Sequence, residues 1–218
     1  MKKFLIILSL LSIPLIFQWD IYQVLKLRTF DAFVSQGQPS GYFAILNITE
    51  EDVDREGGYP LTRYRLAEIQ HDLLEHGAIG VGWVIGFPHP GRLGGDEAFA
   101  YSMSFSKTVL PLFEHDNGEY PDTVGTVILG DGDGGFEAAG TLQNIPILRE
   151  SAWTEQGIAT APVDVDNLVR RIPLLYKTPD GWLAAFGTQV LKVLADADTY
   201  VIKTNQNGIN CNLQGCKR

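Results

Sequence analysis

Two short apolar runs separated by one well-delimited helix constrain the fold of this chain more than any other feature. The runs are Tyr42–Ile48 and Ile79–Ile85. Between them, Thr62 is suited to cap a helix with apolar residues at helical spacing, and Gly77 is suited to end it. Strand, helix and strand in this order predict a βαβ unit with a parallel strand pair. Both runs are almost continuously apolar, so we expect the sheet to be covered on both faces.

Two antiparallel hairpins are predicted later in the chain. Gln156–Val163 and Leu168–Lys177 flank the turn at Asp164–Asn167. Tyr200–Lys203 and Ile209–Leu213 flank an Asn-Gly pair, which favours a tight turn between strands.

The N-terminus carries the second strong feature, the apolar run Phe4–Phe17 after two lysines. The run is shorter than the ~20 residues of a spanning helix, but apolar character continues beyond it, with Trp19 and Tyr22 suited to a membrane interface. A cleaved signal peptide is the competing interpretation. No small-residue cleavage site follows Phe17, which favours an uncleaved anchor. Ile21–Val34 then has the helical period of a stalk.

The predicted fold class is therefore α/β, with a mixed sheet built on a parallel βαβ unit and later antiparallel hairpins. An N-terminal membrane-anchor and stalk helix precedes it. A further helix is expected at Leu183–Leu194, where apolar residues share one face. The predicted domains are the anchor and stalk at residues 1–36 and an extracytoplasmic domain at residues 37–218.

Charge and composition exclude some classes of function. The chain of 218 residues has a net charge of −9 and no basic stripe, which argues against nucleic acid as a partner. Hydrophobic residues make up 45% of the sequence, enough for a full-sized core. The positive charges near the N-terminus favour a topology with the N-terminus inside and the main domain in the periplasm, anchored to the inner membrane by a single pass.

No constellation for catalysis or metal binding is found in the sequence. His71 and His76 do not share a helical face, and neither cysteine has a histidine nearby in sequence. The acidic, glycine-rich segment Asp131–Glu137 lacks the full ligand set of a calcium loop, so a solvated turn is the simpler interpretation. We therefore predict no catalytic residue, no metal and no cofactor. Cys211 and Cys216 are close enough in sequence to form a disulfide after export, or are two reduced thiols.

Several short motifs occur in a fixed order along the chain. They are the strand Ala44–Ile48, the acids Glu50–Asp52, the Gly58-Tyr59-Pro60-Leu61-Thr62-Arg63 step, Gly77, Phe87-Pro88, Gly94-Gly95-Asp96-Glu97 and Asp164–Leu174. Together they resemble the second type of CHASE domain, the cyclase/histidine-kinase-associated sensory extracellular domain. The resemblance covers most of the chain, roughly Leu27 to Gly208. Asn47 and Val84 depart from the family, which is expected to carry Asp there. This departure puts in question any charged-ligand or metal contact that relatives make at those positions.

The best ligand-binding hypothesis from the sequence is the end of the second strand and the loop after it. Ligands of α/β sheets gather at the carboxyl ends of strands, which brings Trp83, His89 and Arg92 into consideration. Arg63, at the start of the helix, is suited to bind an anion or to form a structural ion pair. The alternative interpretation is that Trp83 packs in the core and that His89 and Arg92 are solvated loop residues.

The charged turn after Gln156–Val163 also has two interpretations. Asp164, Asp166, Arg170 and Arg171 suit a hairpin edge protected from edge-to-edge pairing, or a dimer contact.

The resemblance implies a non-enzymatic sensory domain, acting as a homodimer, that responds to a small ligand or a periplasmic partner. Such domains continue into further membrane spans and a cyclase or kinase output, which this chain does not include, so we expect a C-terminally truncated piece or a member without output. A stand-alone membrane-anchored binding or scaffold protein and an exported hydrolase are the alternatives.

Overall fold

The computed structural model describes residues 20–34, 37–38, 40–121, 126–129, 136–205 and 208–214. They belong to two compact units. The helical unit lies within Met1–Asn47 and Pro162–Arg170, and the sheet unit lies within Ile48–Ala161 and Arg171–Arg218.

Helices and strands alternate through much of the described chain. The helices are α1 (Asp20–Phe33), α2 (Glu50–Arg55), α3 (Arg63–Glu75), α4 (Asp96–Met103), α5 (Pro146–Arg149) and α6 (Phe186–Leu194). The strands are β1 (Gly80–Gly82), β2 (Lys107–Glu119), β3 (Thr126–Leu129), β4 (Phe136–Glu137), β5 (Thr141–Leu142), β6 (Thr154–Ile158), β7 (Leu175–Thr178), β8 (Gly181–Ala184), β9 (Thr199–Asn205) and β10 (Gly208–Gln214).

Helix α1 occupies the segment whose period predicted a stalk. Near its C-terminal end the Thr29 hydroxyl donates to the Leu25 carbonyl oxygen at 2.8 Å. Over the part of the chain that the structure describes, no helix is both long and apolar enough to span a bilayer. The Phe4–Phe17 run, on which the predicted anchor depends, lies outside the described residues.

The two helices after the helical unit each begin with a threonine cap, and the cap at Thr62 is the one that the sequence predicts. Thr49 and Asp52 form a reciprocal capping box at the start of α2, so two free backbone N–H groups are satisfied. The Thr62 hydroxyl accepts from the backbone N–H of Arg65 at the start of α3. Gly77 follows the end of α3 with φ +91°, a conformation that favours glycine.

The largest sheet of the sheet unit is built around β2. Strands β1 and β6 pair with it in parallel, in the registers Gly80↔Lys107 and Thr108↔Thr154. Strand β5 pairs with it in antiparallel fashion. Helix α4 connects β1 to β2, so a strand–helix–strand unit with a parallel pair is present. It lies one element later in the chain than the sequence predicted.

Two smaller sheets complete the sheet unit. One has the order β4-β7-β8, and the other has the order β10-β9-β3. A parallel bridge between Ile158 and Ala185 joins the end of β6 to the end of β8. The predicted hairpin near the C-terminus is confirmed, because β9 and β10 pair antiparallel from Gly208↔Asn205 to Gln214↔Thr199.

The main core of the sheet unit lies between α3, α4, α5 and the parallel strands. Its fully buried side chains include Leu66, Phe87, Phe99, Met103, Leu110 and Leu148. Phe99 packs edge-on against both Trp83 and Phe87, with ring centroids 5.4 and 5.3 Å apart. Such edge-to-face pairs contribute beyond the apolar area that they bury.

The predicted strand at Tyr42–Ile48 is wrong. Residues 43–49 have no strand assignment, and Tyr42, Phe43, Ile45 and Leu46 are exposed. A strand exists only where a neighbour supplies hydrogen-bond partners, and an apolar run in the sequence does not show whether one is available. The parallel pair that includes the strand after α3 is instead β1 with β2.

The predicted hairpin across Asp164–Asn167 is also wrong, although the turn itself is present. The backbone N–H of Asp164 donates to Leu168, but β6 pairs with β2 and β7 pairs with β8. Leu183 belongs to β8 and not to the following helix, which begins at Phe186. Leu183 is in a strand because the turn at residues 178–181 folds β8 back onto β7, so that these two strands form the hairpin.

Two sequence predictions fall on residues that the structure does not describe. Cys211 lies in β10, opposite Ile202, but Cys216 is outside the described residues, so the disulfide stays a prediction. Most of the acidic, glycine-rich segment Asp131–Glu137 is outside them as well.

Candidate functional site: an arginine held by three aspartates

The segment Pro162–Arg170 of the helical unit folds into a tight turn because of its polar residues. The backbone N–H of Asp164 donates to the Leu168 carbonyl oxygen, and that of Asn167 donates to the Asp164 carbonyl oxygen, each at 2.9 Å. Asn167 has φ +60°, a left-handed conformation that asparagine tolerates better than most residues. Closing the turn brings the carboxylates of Asp164 and Asp166 to the same place as the side chain of Arg170.

The guanidinium of Arg170 is the centre of the site. Its Nε and Nη2 donate to the two carboxylate oxygens of Asp31 at 2.7 and 2.9 Å. Its Nη1 and Nη2 donate to the two oxygens of Asp166 at 2.8 and 2.7 Å. Nη1 also donates to Asp164 at 3.2 Å. We call these four residues the arginine cluster.

The geometry of the arginine cluster determines what it can do chemically. A guanidinium has five N–H donors, and the five bonds to Asp31, Asp164 and Asp166 occupy them. The side chain of Arg170 is only 7% exposed. Paired bonds of this kind fix orientation as well as distance. Arg170 is therefore built to join helix α1 to the turn and not to capture an anion from solution.

The electrostatics of the arginine cluster favour its charged form. Hydrogen bonds from Arg170 lower the pKa of Asp166 to about 2, from its usual value of 3.8. The same guanidinium lowers the pKa of Asp31, again mainly by hydrogen bonding. Hydrogen bonds to Asp166 and then to Asp31 raise the pKa of Arg170 further above its already high value. The three carboxylates share a single cation, the guanidinium of Arg170. The cluster therefore holds together only while Arg170 stays in place.

Part of the arginine cluster was predicted from the sequence, and one member was not. Asp164, Asp166 and Arg170 were predicted, with Arg171, to form a charged hairpin edge or a dimer contact. That prediction did not include Asp31, which is 139 residues away from Arg170. The available signal was that Asp31 is the single acid between Asp20 and Glu50, within an otherwise apolar helical pattern.

Arg63 forms a structural ion pair, which is one of the two roles predicted for it from the sequence. Its Nε donates to Asp96 at 3.1 Å, and both side chains are largely buried. The other oxygen of Asp96 accepts from the backbone N–H of Gly91 at 2.8 Å. The guanidinium also lies 4.3 Å from the centroid of the Phe87 ring. These contacts attach the loop after β1 to the start of α3 and α4.

The other three residues of the predicted ligand site differ in their exposure to solvent. Trp83 is buried in the core, where its indole N–H donates to Gln70 at 2.7 Å. His89 and Arg92 are exposed in the loop, and the His89 carbonyl oxygen accepts from Arg63 at 3.5 Å. Ligand binding by these residues stays a prediction.

Gln70 is a fully buried polar residue that was not predicted from the sequence. Its amide nitrogen donates to the hydroxyls of Ser106 and Thr108 at 2.8 and 3.0 Å, and its amide oxygen accepts from Trp83. A fully satisfied network of this kind specifies one arrangement of a core. It ties α3 to β2 and to the residue after β1. Within the described ranges, no group of three or more His, Cys, Asp or Glu side chains is placed to hold a metal.

Comparison with known proteins identifies the family. Residues 5–215 match the family model of the CHASE2 domain, and the chain therefore belongs to the CHASE2 domain family. This is a family of extracellular sensory domains, as the resemblance in the sequence implied. No curated protein and no solved structure matches the chain.

Proposed function

We propose that this chain is the extracytoplasmic sensory part of a membrane signalling protein and passes a conformational change to a cyclase or kinase output. Family membership supports the sensory role. The observation that carries the proposal further is the arginine cluster, in which one guanidinium joins Asp31 of α1 to Asp166 of the turn. The domain binds and transmits, and it does not catalyse.

The arginine cluster is suited to transmit movement because it joins a helix, α1, to the turn that contains Arg170. The turn follows β6 along the chain and precedes β7, and Asp31 lies in the last part of α1. A displacement of the turn either carries α1 with it or breaks the two hydrogen bonds between Arg170 and Asp31. A ligand or partner would drive this only through its differential affinity for the two arrangements.

The proposed topology places the bulk of the chain in the periplasm, with a single inner-membrane pass within residues 1–36. The Phe4–Phe17 run behind two lysines supports it. Reporters active only inside or only outside the cytoplasm, fused after Leu110, test this directly. Activity of the cytoplasmic reporter alone would reject the topology. We also propose that the signalling unit is a homodimer that senses a small ligand or a periplasmic partner.

The decisive experiment grafts residues 1–218 onto a membrane-tethered cyclase and measures its output. Asp31→Asn and Arg170→Lys should each shift the basal cyclase output and abolish the response of that output to the ligand or partner. The reason is that neither variant keeps the paired bonds between residues 31 and 170. Arg55→Lys is the matched control, since Arg55 forms only exposed ion pairs with Glu51 and Asp52. A normal response in both single variants would reject the relay.

The predicted ligand site needs its own substitutions on the same graft. His89→Ala and Arg92→Ala change exposed side chains, so a loss of response would implicate them in ligand binding. Trp83→Phe keeps an aromatic ring in the core but removes the indole N–H and part of the buried ring volume. A response unchanged by all three would reject the predicted ligand site and leave the arginine cluster untouched. Hydrolytic activity that is lost on changing one histidine or cysteine would contradict the non-enzymatic role.

A further inference from the structure

Helix α1 has two faces of different character. Val24, Leu27 and Asp31 lie on one face, because residues three, four and seven positions apart on a helix point in similar directions. Val24 and Leu27 are half-buried, and Asp31 on this face accepts the two hydrogen bonds from Arg170. This inner face of α1 is therefore already occupied within the chain.

The opposite face of α1 is exposed and mostly apolar. Leu25, Thr29 and Phe33 follow one another at four-residue intervals and lie about 120–200° around the helix from Asp31. Leu25 and Phe33 are 64% and 84% exposed, and Thr29 is exposed as well. We call these three residues the outer face of α1. An apolar stripe on a helix is normally covered by another surface, so the outer face calls for a neighbour.

Thr29 does not interrupt the outer face as a free polar group. Its hydroxyl donates to the Leu25 carbonyl oxygen at 2.8 Å, one turn earlier on the same helix. A hydroxyl bonded in this way needs no acceptor from another surface. The outer face can therefore pack against a second apolar surface without leaving a buried donor unsatisfied.

The distribution of charge favours a second copy of this chain as that neighbour. The helical unit contains five basic and four acidic residues, so it is nearly neutral. The rest of the chain contains 12 basic and 22 acidic residues, a formal charge of −10. Two copies that met through their sheet units would repel each other, and an anionic lipid surface would repel the sheet unit as well. Contact between two helical units avoids this repulsion.

We propose that the outer face of α1 packs against the same face of α1 in a second copy, with the two helices parallel. The proposal rests on the membrane-anchored homodimer proposed above, since two chains anchored in one membrane have parallel helices and a high effective concentration. The anchor is needed because three side chains per copy do not bury the ~800 Å² per partner of a standard interface. Asp31 lies opposite the outer face, so each α1 joins its own turn to the other copy.

The first test compares two adjacent residues of the full chain, fused to a fluorescent protein and reconstituted in phosphatidylcholine liposomes at low density. Phe33→Asp places two carboxylates against each other at the contact. We expect the dimer fraction, counted by single-molecule photobleaching, to fall at least about fivefold. Val34→Asp is the matched control, because Val34 is 53% exposed and lies about 140° around the helix from Thr29. It should leave the dimer fraction unchanged.

The second test locates the contact by cross-linking in the same liposomes. In a chain with Cys211→Ser and Cys216→Ser, Thr29→Cys should form a disulfide-linked dimer under mild oxidation, because facing residues of paired helices come close enough for the bond. Val34→Cys should cross-link at least about fivefold more slowly, since it points away from the partner.

The alternatives give different results. Monomeric wild type would reject the homodimer together with the contact, whereas a dimer equally populated in Phe33→Asp would reject the contact alone. Equal cross-linking at positions 29 and 34 would also reject it. A Thr29→Cys thiol that does not cross-link, and that reacts with a membrane-impermeant maleimide only after detergent is added, would show that lipid covers the outer face. Cyclase output is not measured here, so the contact and the sensory relay can fail independently.

Discussion

Arg170 and Asp31 form a two-bonded ion pair, with N–O distances of 2.7 and 2.9 Å, although they are 139 residues apart in the chain. The pair fixes the last part of α1 to the turn at the start of the Asp164–Leu174 family motif. Exposed single ion pairs contribute little to stability, but Arg170 is mostly buried and shares its charge among three carboxylates. The contribution of Arg170 should therefore be measured by how firmly α1 is held to the turn, as well as by the melting temperature.

The first prediction concerns the position of α1. Arg170→Lys replaces a planar fork of five donors by a single ammonium, which cannot bridge Asp31 and Asp166 in the same geometry. We expect faster amide hydrogen exchange in α1, with no change in α3. Exchange followed by mass spectrometry on the full chain measures both helices together. Arg55→Lys should leave α1 as it is, and equal exchange in wild type and Arg170→Lys would contradict a role of the cluster in fixing this helix.

The second prediction concerns acid. The folded pKa of Asp166 is about 2, below its usual 3.8. A lowered folded pKa gives stability that is present above about pH 4 and is lost as the pH falls towards 2. The lowered pKa of Asp31 acts in the same direction. Protection of α1 from exchange should thus be constant from pH 7 to 5 and fall below pH 4.

Asp166→Asn provides the comparison for the acid experiment. This variant lacks the titrating carboxylate, so its α1 should be less protected at pH 7 and should change less on acidification. A loss of protection in the wild type between pH 7 and 5 would assign the transition to another group.

The third prediction concerns the Gln70 network in the core. Gln70→Leu should cost about 1–3 kcal/mol, because the buried Trp83 N–H loses its acceptor. The double variant Gln70→Leu with Trp83→Phe should lose less than the sum of the two single losses, since neither member of the hydrogen bond is then left without its partner. Chemical denaturation measures each step. If the two single losses simply add in the double variant, the hydrogen bond to Trp83 is not the cause.

The fourth prediction uses two glycines on adjacent elements. A Cβ at Gly157 of β6 would lie 2.8 Å from the Phe186 Cα, so Gly157→Ala should destabilise by about 1–3 kcal/mol. A Cβ at Gly187 of α6 meets nothing within 4 Å, and Gly187→Ala should stabilise by up to about 1 kcal/mol. Opposite signs in thermal melts would confirm the close packing of α6 on β6. A neutral Gly157→Ala would contradict it.

The amino-acid sequence by itself determined the elements that depend on local contacts. The start of α3 at Thr62, its end at Gly77, the capping box at Thr49 and the β9–β10 hairpin follow from interactions between residues close in sequence. The family could also be predicted, because its motifs are short and occur in a fixed order along the chain.

The tertiary structure alone decided which strands pair and which charges meet. Tyr42–Ile48 has the composition of a strand but is not in a sheet, while Thr154–Ile158 found a parallel partner in β2. Asp31 and Arg170 have no sequence pattern that relates them. Hydrogen-bond partners in sheets and ion pairs between distant segments depend on long-range packing, and local periodicity contains no information about which distant segment will supply the partner.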